Sequence, residues 1–319
     1  MLALTAQQER LLTLCALRIG KKSLDWSLLA RTCQSRDALD VVMGGDIPED
    51  SAIARINLSL LRKGLGQLEE ARERVRDEVG AAEQAGARLV TVLDADYPAN
   101  LRLIPNLPPF LFYLGSLEER DARSAAVVGT RAATEDGVKR ADRMTRGLVK
   151  EDVVIFSGLA KGIDAAAHAA TLDAGGRTVA VMGTGIAARI YPAQNKPLAA
   201  RILEEGGALL SQFWPSSSPA TWTFPRRNVV TSGATLGSVV IEASATSGAK
   251  MQARIAAEHD KHVFLLRSLA TQEPWAAKMI EDGRAVEVTE IHDVICRLGD
   301  AKRIHRAGQQ RLQLALAGL

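Results

Sequence analysis

Residues 157–168 read SGLAKGIDAAAH, and the rest of the chain is arranged around them. The apolar run before them, residues 153–156, has the length and β-branched content of a buried parallel strand. The Ala-rich segment after them predicts a helix beginning near Ile163. Strand, glycine loop and helix together outline a phosphate cradle. Gly158 and Gly162 let the backbone turn tightly and approach a ligand, and the helix directs its unpaired amides and positive dipole end into the loop. Two neighbouring segments repeat the arrangement. Residues 125–128 form a short apolar strand ending in Gly129-Thr130-Arg131, and residues 178–182 form another ending in Gly183-Thr184-Gly185. In an open parallel sheet such loops gather beyond the carboxyl ends of the strands, where ligands bind.

Working outward, β and α patterns alternate. Strands are expected at 88–93, 110–114, 208–212, 238–242 and 262–266, with a short β signal at 285–288. Helices are expected near 135–150, 163–174, 196–205 and 249–258. This pattern predicts an α/β protein with a doubly wound, mostly parallel sheet. Residues 1–86 lack strand patterns and read as an N-terminal helical domain, with Thr5 and then Ser23 or Asp25 as helix caps and helical spacing of Leu and Ile over 51–85. The expected division is 1–86 helical, 87–290 α/β and 291–319 a helical C-terminal tail.

Composition narrows the classes. With 319 residues, 47% hydrophobic and 24% charged, the chain matches an ordinary globular protein rather than a disordered one. The opening MLALTAQQER has no basic leader, and no apolar run approaches membrane-spanning length, so a cytoplasmic protein without membrane contact is expected. Cys15, Cys33 and Cys296 are too few and too scattered for a disulfide framework or a metal site. A net charge of +3 is only mildly basic, but Arg131, Lys161, Arg226, Arg227 and Lys250 all fall in or beside loops expected at one sheet edge. Residues 213–228, FWPSSSPATWTFPRRN, read as a long irregular connection joining Trp214, Trp222 and Phe224 to two arginines. That mixture offers π faces for bases and cations for a phosphate backbone, although the rings would serve equally to anchor the loop on the core. Asp164 and His168, four residues apart, lie on one helix face and read as a structural hydrogen-bond pair that stiffens the cradle. Ser157 lacks the context of a nucleophile elbow.

Several stretches together resemble the DprA/Smf family of DNA-processing proteins: VVGTR (127–131), SGLAKGIDAAAH, VMGTGI (181–186) with YPAQN (191–195), FPRRN (224–228), VVIEASATSGA (239–249) and the lead-in LDADYPANLRLIPNLPPFLFYLG (93–115). The resemblance covers roughly residues 88–266 in one order. It implies an extended Rossmann-like fold behind a small helical domain, binding of single-stranded DNA without a cofactor or catalysis, and a homodimer that loads the RecA recombinase during transformation and recombination. Carried over by position, Gly129, Arg131, Ser157, Gly158, Lys161 and Gly162 would hold phosphates. Phe224, Arg226, Arg227 and Asn228 would form a stacking and clamping edge, with Gly183 and Lys250 beside them. The chain departs from the family at Val229, where a further arginine is common, at Ser211-Gln212, and at FLLRS (264–268), all in the half where members dimerise and meet RecA. The alternative is a Rossmann-like nucleotide sensor, or a nucleotide phosphoribohydrolase with Glu242 as its carboxylate and Asp164 as partner, in defence or signalling. The PGGxGT sequence of such hydrolases is absent.

Overall fold

The computed structural model describes residues 3–299. Its N-terminal part is helical: α1 (Ala6–Ala16), α2 (Trp26–Thr32), α3 (Arg36–Met43), α4 (Ala52–Gly64) and α5 (Leu68–Gln84). Each of the first four starts where a short polar side chain accepts from an otherwise orphaned amide: Thr5 from Gln8, Asp25 from Leu28, Ser35 from Ala38 and Ser51 from Ala54. Thr5 and Gln8 close a full capping box. The long helical stretch expected after Ser51 is interrupted at 65–67 by a tighter 3-10 turn.

Strands β1 (Arg88–Thr91), β2 (Phe110–Gly115), β3 (Ser124–Val128), β4 (Val154–Ser157), β5 (Thr178–Val181), β6 (Ala208–Ser211), β7 (Gly237–Val240), β8 (His262–Leu266) and β9 (Val286–Val288) form one nine-stranded sheet. Its order is β1-β2-β6-β5-β4-β3-β7-β8-β9. β1 and β2 are antiparallel to their neighbours, and every pairing from β6 to β9 is parallel. The crossovers carry α6 (Glu135–Lys150), α7 (Ile163–Asp173), α8 (Lys196–Glu204), α9 (Thr223–Gly233) and α10 (Gly248–Glu258). Helices α11 (Arg267–Gln272), α12 (Pro274–Glu281) and α13 (Ile291–Leu298) complete the described chain.

Both sheet faces are covered, which explains the unbroken apolar runs. Along β3, Ala125 and Val127 join one core cluster with Met144 and Leu148 of α6, while Ala126 and Val128 join another with Ala253 and Ala256 of α10. The same alternation sends Ile155 of β4 to one side and Val154 and Phe156 to the other. The N-terminal helices share the core of the second side. Trp26 of α2 sits 5.0 Å from the Phe110 ring and 5.8 Å edge-on from Trp214, and its indole N–H donates to the Cys15 carbonyl. Such ring pairs add about 0.5–1.5 kcal/mol each beyond the area they bury, so the helical part is fastened to the sheet rather than tethered beside it.

Two sequence expectations change. Residues 213–228 are not one irregular loop, because Thr223 begins α9 and FPRRN lies in its first turns. Proline is tolerated there since the first helical amides need no intrahelical partner. The loosely patterned 267–281 segment holds two further helices. The expected helical tail holds α13, and its remainder, residues 300–319, lies outside the described residues.

Candidate functional site

Sheet order reverses between β3, which continues through β4 to β5 on one side, and β7, which continues to β8 on the other. The two strand ends are tied across that switch point, where the Thr130 amide donates to the Glu242 carbonyl at 2.7 Å. On the β3, β4 and β5 side the glycine loops meet α9 and enclose an open concavity of about 250 Å³. Its walls include Arg131, Gly158, Lys161, Gly183, Phe224 and Arg227, six positions proposed from sequence, together with Ala160, Tyr191 and Pro192.

The shape follows from missing side chains. A methyl group on Gly183 would lie 2.8 Å from the Phe224 ring, so the phenyl rests on bare backbone. Gly162 has φ of 75° and backs onto the carbonyls of Thr130 and Arg131, an arrangement any larger residue would strain. Phe224 is flanked on both sides. The Arg131 guanidinium lies over its ring at 5.1 Å, and the half-exposed Tyr191 ring is 5.6 Å away. Cations and π faces therefore alternate along an accessible wall, and Lys161 is exposed beside them. Tyr191 was not singled out from the sequence, although YPAQN contains it. The signal was an aromatic residue in a short segment between two cradle elements.

Beneath this wall lies a buried ion pair. Asp164 of α7 accepts from the Gly158 amide at 3.1 Å and the Gly129 amide at 3.4 Å, and one Arg227 Nη is 3.8 Å from its carboxylate. Burial pushes the Asp164 carboxyl up, while Arg227 and these amides pull it back. Burial pushes the Arg227 guanidinium down; Asp164 opposes that, and the nearby Arg131 charge adds to it. The anion expected at these amides is thus the chain's own carboxylate, and the Arg227 guanidinium packs on the bare Cα of Gly158. The cations that line the concavity are Arg131 and Lys161, both exposed, with the buried Arg227 behind them.

The remaining sequence candidates lie elsewhere. Ser157 is buried and donates to the Val127 carbonyl, and Gly129 packs against Ile163. Asn228 faces α10 and donates to the Gly248 carbonyl, and Lys250 extends over the Trp275 ring at 5.8 Å. Arg226 does not line the concavity and lies over Trp222 at 6.0 Å. Asp164 and His168 do not pair: the His168 Nδ1 bonds the Thr178 hydroxyl at 2.7 Å, which donates onward to the Ile155 carbonyl. Burial, reinforced by Arg227, lowers the His168 pKa to about 3. Glu242 is held at the start of α6, accepting from the Thr134 hydroxyl at 2.9 Å with Arg140 nearby, and does not line the concavity.

The profile of the family described as DNA recombination-mediator protein A matches residues 88–299. The chain belongs to that family. The matched region runs from β1 through α13, so the five N-terminal helices precede it. Among relatives, Protein Smf of Synechocystis is 36% identical over 236 residues, 72% of this chain and 58% of that protein. DNA processing protein DprA of Streptococcus pneumoniae is 40% identical over 176 residues, 55% of this chain and 61% of the relative. The chain thus spans about three fifths of these curated relatives. An X-ray structure of the Streptococcus pneumoniae protein is 33% identical, superposes with a TM-score of 0.65, and covers 76% of this chain and 86% of that one. DNA processing protein A from Helicobacter pylori, whose structure addresses its single-stranded DNA binding mode, is 23% identical with a TM-score of 0.57, covering 65% and 93% of the two chains. That likeness speaks to the fold alone. Among the described residues of this family member, no helix is long and apolar enough to cross a membrane.

Proposed function

We propose that this chain binds single-stranded DNA without catalysis, holding the strand at the concavity beside β3, β4 and β5, and delivers it to a RecA-type recombinase as a homodimer. The observation that carries the reading is the Arg131–Phe224–Tyr191 wall, a cation and two accessible rings in succession, with Lys161 beside it. Bases stack on such rings with little sequence preference, and guanidinium groups fork onto phosphate oxygens. Arg131 and Arg227 repel each other across the wall, and a phosphate placed between them would relieve that repulsion. Membership of a family described as a recombination mediator supports the recombinase step.

The test is fluorescence anisotropy of a labelled thymidine homo-oligomer across a salt series, with nucleoside monophosphates as competitors. Binding should weaken as salt rises, and Arg131→Ala should reduce the slope by about 0.7, the value for one lost single-strand phosphate contact. Phe224→Ala should cost about 1–3 kcal/mol of affinity. Absence of oligomer binding, or displacement by a mononucleotide at equal molar amounts, would replace this reading with that of a nucleotide sensor. Strand-dependent ATP hydrolysis by a recombinase, measured with and without this protein, tests delivery, and light scattering tests the dimer.

A further inference from the structure

On the far side of the first turn of α9 lies a second open groove of about 650 Å³, formed where the N-terminal helices meet residues 212–226. The 18–22 segment after α1 contributes Arg18, Lys21 and Lys22, and the α9 side contributes Trp222 and Arg226. These cations are exposed, and none of the four has a salt-bridge partner among the described residues. The one carboxylate in the groove, Asp25, is engaged in capping α2. Trp222 is 57% exposed, edge-on to Phe213 at 5.7 Å, with the Arg226 guanidinium over its ring at 6.0 Å. A large ring held open to solvent among unpaired cations is the same chemistry as the Arg131–Phe224 wall. Phe224 and Trp222 belong to one helix start, so the two sites are separated only by the N-terminus of α9, an eleven-residue helix with no side-chain cap and a favourable dipole end for an anion crossing it.

We propose that this groove is a second seat for the same single strand, in which Trp222 stacks a base and Arg18, Lys21, Lys22 and Arg226 neutralise phosphates. The N-terminal helices thereby become part of the nucleic-acid path rather than an appendage. The inference rests on the reading of the concavity as a single-strand site, and the experiment separates the two.

Anisotropy of the full chain is measured with thymidine oligomers of about 5 and about 20 nucleotides, the first short enough to fill one seat. Lys21→Ala/Lys22→Ala should leave the short oligomer's affinity unchanged and lower the salt slope for the long one by about 1.4, as for two lost phosphate contacts. Trp222→Ala should weaken the long oligomer about 5- to 150-fold, and quenching of tryptophan emission by the long oligomer should diminish in that variant. Arg131→Ala should weaken both lengths. Wild-type affinity and slope for the long oligomer in both groove variants would overturn the proposal while leaving the concavity intact. If Arg131→Ala were silent and the groove variants alone lost binding, the concavity reading would fail instead. Because Lys21, Lys22 and Trp222 are exposed, these variants should fold, and unchanged melting temperatures serve as the control.

Discussion

Arg227 stands in the FPRRN stretch as a phosphate ligand by analogy, but its geometry assigns it first to the fold. Its side chain is 9% exposed and that of Asp164 is 5%, with 3.8 Å between the closest charged atoms. At an effective dielectric of about 20, unit charges at that separation attract by about 4 kcal/mol. This agrees with the roughly 3–5 kcal/mol that follows removal of one member of a buried pair, because the remaining charge is left desolvated. Arg227→Ala should therefore destabilise the protein by about 4 kcal/mol in urea unfolding followed by circular dichroism near neutral pH. The loss should shrink as pH falls, since an Asp164 without its guanidinium can take a proton and become neutral. Asp164→Asn/Arg227→Met, which removes both charges and keeps most of the volume, should recover the larger part. Arg131→Ala, at an exposed position, should leave stability unchanged and reduce only DNA affinity. An Arg227→Ala protein within about 1 kcal/mol of wild type would refute the assignment, and if its DNA affinity also collapsed, Arg227 would be a direct phosphate ligand.

Gly162→Ala places a side chain at φ of 75° against two carbonyls, so it should unfold at clearly lower urea concentration, losing at least the roughly 1–2 kcal/mol of a left-handed residue. Gly183→Ala pushes on the Phe224 ring from 2.8 Å and should weaken oligonucleotide binding several-fold with a much smaller change in melting temperature. His168 has a pKa of about 3 folded against 6.5 as the ordinary value, so between those values only the unfolded chain takes the proton. Stability should fall as pH drops through 6.5, by about 2 kcal/mol at pH 5, and unfolding curves at pH 7, 6 and 5 should show that slope reduced in His168→Gln. Trp26→Ala removes one of three mutually packed rings, with Phe110 and Trp214, and, since Trp26 is only partly buried, should cost about 1–3 kcal/mol in the same assay, the worth of its two ring contacts.

Much of the sheet was legible because a doubly covered strand has to be apolar on both faces. β3, β4, β5 and β8 are short, continuous and bounded by glycine or charge, the pattern of buried parallel strands. α9 was not legible. Its opening residues combine two aromatics, a proline and two arginines, which locally describe a loop; what makes them helical is Val230 buried in the core and Arg227 facing Asp164, contacts distant in sequence. The break between α4 and α5 escaped for a similar reason, since helical spacing of Leu and Ile continues across residues 65–67.

At the site, the loops named from sequence meet at one concavity, with a partly different division of labour among their residues. A glycine-bounded strand-to-helix turn is an anion seat whatever fills it, and pattern alone cannot distinguish a ligand phosphate from an internal carboxylate. Here Asp164 occupies the Gly158 and Gly129 amides, which fixes the loop before any ligand arrives. The cost is a buried negative charge, and Arg227 offsets it; burial pushes that guanidinium down, Asp164 opposes this, and Arg131 adds a smaller push in the same direction as burial. Arg227 is packed on Gly158 and held inside, whereas Arg131 is the exposed member, over the Phe224 ring. A rigid, charge-balanced interior pair thus stands behind an exposed cation beside an aromatic face, and that juxtaposition is what the proposed phosphate contact rests on.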